Sequence, residues 1–445
     1  MSTKLLLSQI ATLLGCSSPV NDAEITGAVI DSRKVFLGCL FVALDGEHVD
    51  GHDYIAAARQ AGASAALVTK IQNDSLPQLV VADVTKAFAE IAKYWLKQCQ
   101  TKVVAITGSN GKTTVKEMVA SILRQCGSVV STQGNLNNDL GVPLTVMNIK
   151  PSTDYAVIEM GASQRGDISR LVEIAQPSVS IINNVAAAHL EGFGDLLGVA
   201  KAKAEIFLGL TQDGVGVINA DMDFVAEWTE VLANKKVVSF ALDNQADITA
   251  QDLQIDATSS HFMVELKGEF DYINLPLPGK HNVANALAAI AVTSAMDIPS
   301  SAIVKGLASM TSVPHRLQLR SGVNQSKLID DSYNANPGSY KQALATLASF
   351  AGQHWLVLGD FGELGADSEQ LHYQMGLDAK EAGVKKLLTV GKLSEQATKA
   401  FGVGAEHFDD INMLQENLTG ALSNDTVCLI KGSRFMQLDQ LADVL

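Results

Sequence analysis

The chain has 445 residues, 47% hydrophobic and 18% charged, which excludes disordered and collagen-like classes and exceeds what one compact core holds. Its 33 Lys plus Arg against 48 Asp plus Glu leave a net charge of −15, so nothing global attracts nucleic acid or an anionic membrane, and anionic substrates need local partners. Five scattered cysteines (Cys16, Cys39, Cys99, Cys126 and Cys428) without a Cys-x-x-Cys pair predict a reduced, cytoplasmic setting, and no apolar run is long enough to span a membrane.

Leu5–Leu7 and the stretch Leu13, Leu14, Gly15, Cys16 have the look of a signal peptide ending in a lipid-attachment cysteine. Ser8, Gln9 and Thr12 interrupt that run, and Leu6, Ile10, Leu13 and Leu14 fall at helical spacing, so a short amphipathic helix is predicted instead. Apolar runs at Cys39–Leu44 and Ala65–Val68 and an Ala-rich helix over Tyr54–Ala61 make a small α/β module. A helix over Lys86–Gln98 leads to a polar break at Gln100–Lys102, which closes a first domain at 1–99.

Strands at Val103–Thr107, Tyr155–Glu159, Val179–Val185 and Val215–Ile218 then alternate with helical stretches, the pattern of a mostly parallel sheet covered on both faces. Alternating residues over Asp247–Leu277 predict a small antiparallel patch, and a helix follows over His281–Met296. This central domain spans 100–313. After a break near Ser312–Pro314, strands at Leu328–Tyr333, Trp355–Gly359, Leu387–Val390 and Val427–Ile430 and a helix over Tyr340–Phe350 predict a third domain at 314–445. The fold class is α/β in three domains: a small N-terminal module, a central P-loop-type sheet and a Rossmann-like C-terminal domain.

The strand Val103–Thr107 runs directly into Gly108-Ser109-Asn110-Gly111-Lys112-Thr113-Thr114 and a helix over Val115–Arg124. Glycines let backbone N–H groups turn toward phosphate oxygens, and the helix start adds partial positive charge. Lys112 then reaches the β and γ phosphates, and Thr113 offers its hydroxyl to Mg²⁺. The spacing is shorter than the usual Gly-x-x-x-x-Gly-Lys-Ser/Thr, since the partner glycine lies only three residues before Gly111. Nucleotide binding is the strongest reading.

Ligands in such sheets bind beyond the carboxyl ends of the strands, where Glu159 is placed either to hold a second Mg²⁺ or to cap the loop Gly161–Gly166. His189, after the strand Val179–Val185, is either a loop residue or a metal ligand. Lys203, in Ala202-Lys203-Ala204-Glu205-Ile206-Phe207, reads first as a solvated lysine; buried and uncharged, it could take up CO₂ as a metal-binding carbamate.

With these segments on view, the chain resembles the Mur ligases across all three domains. The shortened glycine loop, Gly134-Asn-Leu-Asn-Asn-Asp-Leu-Gly141-Val-Pro143, His189-Leu-Glu-Gly-Phe-Gly194 and Gly279-Lys-His281-Asn282-Val-Ala-Asn285 carry the likeness. So do His315-Arg316 and Asp330-Asp331-Ser332-Tyr333-Asn334-Ala335-Asn336-Pro337. The last is similar to the branch that adds a dipeptide; relatives adding glutamate or a diamino acid carry Ala-His or Gly-His there.

The resemblance implies an ATP-dependent amide ligase that joins D-alanyl-D-alanine to UDP-N-acetylmuramoyl-tripeptide through an acyl phosphate. It implies ATP and Mg²⁺ as cofactors, a carbamylated Lys203, and Thr113, Glu159 and His189 around the metals. Lys112, Lys203, His189 and Arg316 become the catalytic set. Asn138 lies near the phosphates, Asn282 and Asn285 contact the nucleotide, Arg316 reaches its phosphates and Asp331 its ribose. Tyr333, Asn334 and Asn336 shape the dipeptide pocket, and Ser32, Arg33, Gly46 and His52 the uridine diphosphate site. Ser163 and Gln164 depart from the family pattern and are left out of the site. A monomer is expected, with no nucleic-acid partner and no integral membrane association. The competing readings are a folylpolyglutamate-synthase-like ligase and a P-loop nucleotide switch.

Overall fold

The computed structural model describes residues 4–17, 21–46, 49–186 and 190–445. Near the N-terminus the helix Leu7–Leu14 forms, ended by Gly15 in the left-handed conformation (φ 64°). It buries Leu7, Ile10 and Ala11, whereas Leu6 and Leu13 of the predicted face stay exposed, so the apolar stripe is rotated from the one read in the sequence. The short strand Leu5–Leu6 pairs with Glu24–Ile25, and that pairing fixes which side of the helix turns inward.

Four parallel strands, Gly27–Val29, Cys39–Val42, Ala65–Val68 and Gln78–Val80, lie side by side in chain order. The helix Val84–Leu96 follows, N-capped by Asp83, whose carboxylate accepts from Lys86 N at 3.0 Å. Its stripe Val84, Phe88, Ile91, Ala92 and Trp95 repeats every three to four residues and packs against the helices Gly141–Met147 and Asp167–Ala175 of the next sheet. Trp95 Nε1 also donates to Ile149 O at 2.7 Å. One continuous core therefore runs from the N-terminal module into the central region.

The central sheet has seven parallel strands in the order Ile248–Thr249, Lys236–Ala241, Val215–Asn219, Val179–Ile182, Lys102–Thr107, Tyr155–Glu159, Val129–Ser131. Lys102–Thr107 is interior, buried at every residue after Lys102, as a strand covered on both faces should be. The strand predicted to reach Val185 stops at Ile182, because Asn183 and Asn184 turn their side chains onto the loop after Thr107. The segment Asp247–Leu277 divides: Ile248–Thr249 extends the parallel sheet, and Gln251–Ile255, Ser260–Leu266 and Glu269–Leu275 form the antiparallel patch.

The C-terminal sheet has six strands ordered Gln318–Ser321, Lys327–Asp331, Thr426–Lys431, Gln353–Gly359, Lys386–Val390, Ala405–Phe408, antiparallel only at the first. Where the chain passes from the central to the C-terminal sheet, His315 (φ 59°) and Leu317 (φ 47°) adopt left-handed backbone that residues with a side chain rarely take. These residues turn Arg316 and the tip of Lys327–Asp331 toward the central sheet. No helix among the described residues is long and apolar enough to cross a membrane.

Candidate active site

The carboxyl ends of both sheets face a cleft of about 640 Å³. From the central sheet come Gly108–Thr114, Asn138, Glu159, Lys203, Asn282 and Asn285; from the C-terminal sheet come Asp331, Tyr333, Asn334 and Asn336, with Arg316 between them.

Gly111 sits at φ 73° as the N-cap of the helix Lys112–Leu123, and a β-carbon there would meet Asn285 Oδ1 at 2.5 Å and Asn183 Nδ2 at 2.8 Å. Only glycine suits both the dihedral and the space. Since Gly111 has no capping side chain, the first amides of the helix remain as anion donors beside the cleft. Neighbouring asparagines hold the loop: Asn110 N donates to Asn184 Oδ1 (2.8 Å), and Asn110 O accepts from Asn183 Nδ2 (3.0 Å) and Asn184 Nδ2 (2.9 Å). Asn183 Nδ2 also reaches Asn285 Oδ1 at 3.0 Å. Lys112 Nζ folds over the loop onto Gly108 O at 2.8 Å. Burial pushes this amine below its ordinary pKa, Glu159 opposes that, and Arg316 adds to it.

Glu159 is buried at the end of its strand. Its Oε2 accepts from Thr113 Oγ1 (2.9 Å) and its Oε1 from Asn137 Nδ2 (2.8 Å), both neutral donors. Asn138 lines the cleft and uses its side-chain oxygen to accept from Gly141 N at 2.9 Å, starting the helix Gly141–Met147. Asn282 Nδ2 donates to Pro278 O at 2.8 Å.

Lys203, on the helix Leu196–Ala204, is buried rather than solvated, and its amine has no hydrogen-bond acceptor among the described residues. Burial, with the nearby Lys112 charge, pushes its pKa well below that of an ordinary lysine, so the neutral amine is favoured. His189 lies outside the described residues.

Across the cleft, Asp331 Oδ2 accepts from Lys431 Nζ at 2.5 Å and Asp331 Oδ1 from Leu317 N at 3.1 Å. Burial raises the Asp331 pKa and the Lys431 charge opposes the rise. The Arg316 guanidinium carbon stands 4.1 Å from the Tyr333 ring centroid, a cation–π contact. Asn334 O accepts from Lys431 at 3.2 Å, and Asn336 caps the helix Pro337–Ala348.

The four N-terminal residues do not line this cleft. Ser32 and Arg33 stand on a single 3-10 turn, Ser32–Lys34, N-capped by Asp31. The Arg33 side chain is 87% exposed and binds Asp31 Oδ2 at 2.8 Å, and its hydrogen bonds hold the Asp31 carboxyl down at about 2. Gly46 is exposed and donates to Val49 O at 3.1 Å. His52 is buried, with Nδ1 at 2.6 Å from Asp50 Oδ1 and Nε2 accepting from Thr69 N at 3.1 Å. Both ring nitrogens thus serve its own domain, and His52 shapes the turn from beneath.

Sequence reasoning missed Asn137, Asn183, Asn184, Lys431 and Arg434 near the cleft, and it excluded Ser163 and Gln164, which line it. The rule that ligands gather beyond strand carboxyl ends, applied to every strand, would have pointed to Asn183, Asn184, Lys431 and Arg434, which lie at or within three residues of such an end.

The Mur ligase family catalytic domain matches residues 24–106, the Mur ligase middle domain residues 106–293, and the Mur ligase glutamate ligase domain residues 315–434. The chain belongs to the Mur ligase family. This Mur ligase is similar to the UDP-N-acetylmuramoyl-tripeptide--D-alanyl-D-alanine ligase of Escherichia coli (strain K12), 44% identical over 99% of this chain and 98% of that one. MurF from Acinetobacter baumannii, at 33% identity, shares the fold with a TM-score of 0.91 over 100% of this chain and 99% of that one. MurF of Thermotoga maritima in complex with ADP gives a TM-score of 0.82 at 27% identity, covering 94% and 96%.

Proposed function

We propose that this Mur ligase joins D-alanyl-D-alanine to the terminal carboxylate of UDP-N-acetylmuramoyl-tripeptide, with ATP converted to ADP and phosphate, in cytoplasmic peptidoglycan precursor synthesis. One observation carries the reading: the phosphate loop, the buried Glu159 and Lys203, and the Asp331–Asn336 strand tip of the other sheet all face one cleft. The near full-length likeness to UDP-N-acetylmuramoyl-tripeptide--D-alanyl-D-alanine ligases supports it over a folylpolyglutamate-synthase-like ligase or a nucleotide switch.

In this reading residues 1–99 hold the uridine diphosphate end, 100–313 the triphosphate, and 314–445 the ribose and the dipeptide. The tripeptide carboxylate oxygen bonds to the γ phosphorus of ATP as the bridging P–O bond to ADP breaks. The dipeptide amine then adds to the acyl carbon, the C–O bond to phosphate breaks, and the proton lost from nitrogen passes to the released phosphate or to solvent. The loop amides, Lys112 and Arg316 balance charge on the transferred phosphoryl group, where fixed electrostatics contribute most. Asp331 takes the ribose, and Asn282 and Asn285 border the nucleotide.

A buried carboxylate whose hydrogen-bond donors among the described residues are neutral is a natural seat for a cation, so Glu159 and Thr113 fit Mg²⁺, as would a carbamate on the neutral Lys203 amine. Mg²⁺ supplies charge neutralisation on the phosphate oxygens. His189 is assigned to the same metal site. Ser32 and Arg33 are the surface groups for the diphosphate, and the protein acts as a monomer.

The test is phosphate release measured with ATP, UDP-linked tripeptide and D-alanyl-D-alanine, alone and in every pair. Release should need all three. Equal release with the dipeptide omitted would defeat the ligase assignment.

A further inference from the structure

Among the described residues, six basic side chains line the cleft: Lys112, Arg170, Lys203, Arg316, Lys431 and Arg434. Five have evident work. Lys112 covers the phosphate loop, and Lys203 is buried, which lowers its proton affinity. Arg170 is divided between Asp139 (2.9 Å) and Asp167 (2.8 Å). Lys431 is buried against Asp331, and Arg316 lines a second pocket together with Thr114 of the phosphate loop and Asn282, which puts it on the nucleotide side.

Arg434 remains. It opens a single 3-10 turn, Arg434–Met436, just past the last C-terminal strand, and Ser433 before it is fixed by Ser433 N donating to Asp360 O at 3.0 Å and Gly362 N donating to Ser433 Oγ at 2.9 Å. Its side chain is 55% exposed and meets one carboxylate oxygen, Asp439 Oδ2, at 2.6 Å. The other oxygen, Asp439 Oδ1, is buried without a partner among the described residues, so the pair is a single hydrogen bond rather than a fork. The Arg434 guanidinium carbon lies 5.5 Å from the Tyr333 ring centroid, and that of Arg316 lies 4.1 Å from the same centroid. Tyr333 thus carries both cations, one belonging to the nucleotide side and one uncommitted.

Resting on the proposed function, we infer that Arg434 binds the free carboxylate of the incoming dipeptide. The dipeptide brings an amine that must stay free to react and a carboxylate that does not react. In a cleft closed between two domains that carboxylate needs a charged donor, and a guanidinium fits it with two parallel hydrogen bonds. With Arg316 on the phosphates and Arg434 on the acceptor, the two anions do not compete for one cation, and the amine is directed inward toward the acyl carbon. Asp439 orients Arg434 without saturating it.

The experiment measures KM and kcat for D-alanyl-D-alanine and for its C-terminal amide, at saturating ATP and UDP-linked tripeptide, in the full-length protein and in Arg434→Gln and Arg434→Lys. In the parent the amide should be the poorer acceptor. Arg434→Gln should raise KM for the free acid about 10- to 100-fold, the worth of a hydrogen bond to a charged group, and bring acid and amide to near equality, with ATP affinity by titration unchanged. Arg434→Lys should keep part of the preference, and it supplies the same comparison if the glutamine variant is too slow to assay. A parent indifferent to amidation, or a variant that keeps the full preference, overturns the inference while leaving the ligase reading intact. A parent that accepts neither dipeptide overturns both.

Discussion

Asn336, on the C-terminal side of the cleft, donates its side-chain amide to Asn110 Oδ1 in the phosphate loop at 2.7 Å. The same Asn336 caps the helix Pro337–Ala348, accepting from Ser339 N at 2.9 Å. One residue therefore ties the start of a C-terminal helix to the loop proposed to hold ATP, and closing the two domains is coupled to the state of that loop.

Asn110→Ala removes this contact without touching the helix cap. A neutral hydrogen bond contributes about 0.5–1.5 kcal/mol net, so the closed population should fall by about 2- to 12-fold with little change in thermal stability. Small-angle scattering should report a larger radius of gyration, and KM for ATP should rise; unchanged scattering would show that the contact does not hold the domains together.

Glu159→Gln keeps the shape and the hydrogen bond from Thr113 but removes the charge. Because Glu159 meets only neutral donors, the expected result is a rise of tenfold or more in the Mg²⁺ concentration giving half-maximal activity, within the about 10- to 100-fold range typical of weakened metal sites. A Mg²⁺ titration of turnover in parent and variant checks this, and identical curves would remove Glu159 from the metal site.

Lys203→Ala should reduce turnover by at least about 100-fold, the scale of lost electrostatic stabilisation, with ATP affinity largely kept. Turnover of the parent should also depend on dissolved CO₂, because only a neutral amine forms a carbamate. Near parental rates in Lys203→Ala would end the carbamate proposal.

His281 borders the cleft with Nε2 buried and unpartnered among the described residues, and burial lowers its pKa from 6.5 to about 4. Between those values the unfolded chain holds a proton that the folded chain refuses, so stability falls as pH drops from 6.5 toward about 4 and changes no further from this group below that. His281→Gln should flatten the acid side of the Tm-against-pH curve, and NMR titration of the ring should give a midpoint near 4. A midpoint near 6.5 would contradict the burial argument.

Much of the site was legible because its chemistry is local in sequence. A strand such as Val103–Thr107 followed by Gly108–Thr114 needs no tertiary knowledge to read as a phosphate loop, and Glu159 follows from the position of its strand end. Lys203 was harder: helical spacing alone left it solvated, and only the packing of Leu196–Ala204 under the cleft buries it. Lys431 and Asp331 are a hundred residues apart and meet through parallel pairing of Lys327–Asp331 with Thr426–Lys431, a register no local pattern encodes. His52 sits in a polar motif, Asp50-Gly-His52-Asp53, and nothing local in that motif shows that its ring is drawn inward by Asp50 and Thr69. The helix Leu7–Leu14 turns Ile10 and Leu14 inward as read, but with Leu7 and Ala11 in place of Leu6 and Leu13, because its strand Leu5–Leu6 pairs with Glu24–Ile25, a contact outside the helix.

The central claim is that the tripeptide carboxylate becomes an acyl phosphate before the amine attacks. UDP-linked tripeptide labelled with ¹⁸O in its terminal carboxylate, turned over with ATP and D-alanyl-D-alanine, tests it by mass spectrometry of the released phosphate. The account predicts one ¹⁸O atom in each phosphate formed; phosphate free of label, with the label leaving in water, would contradict it.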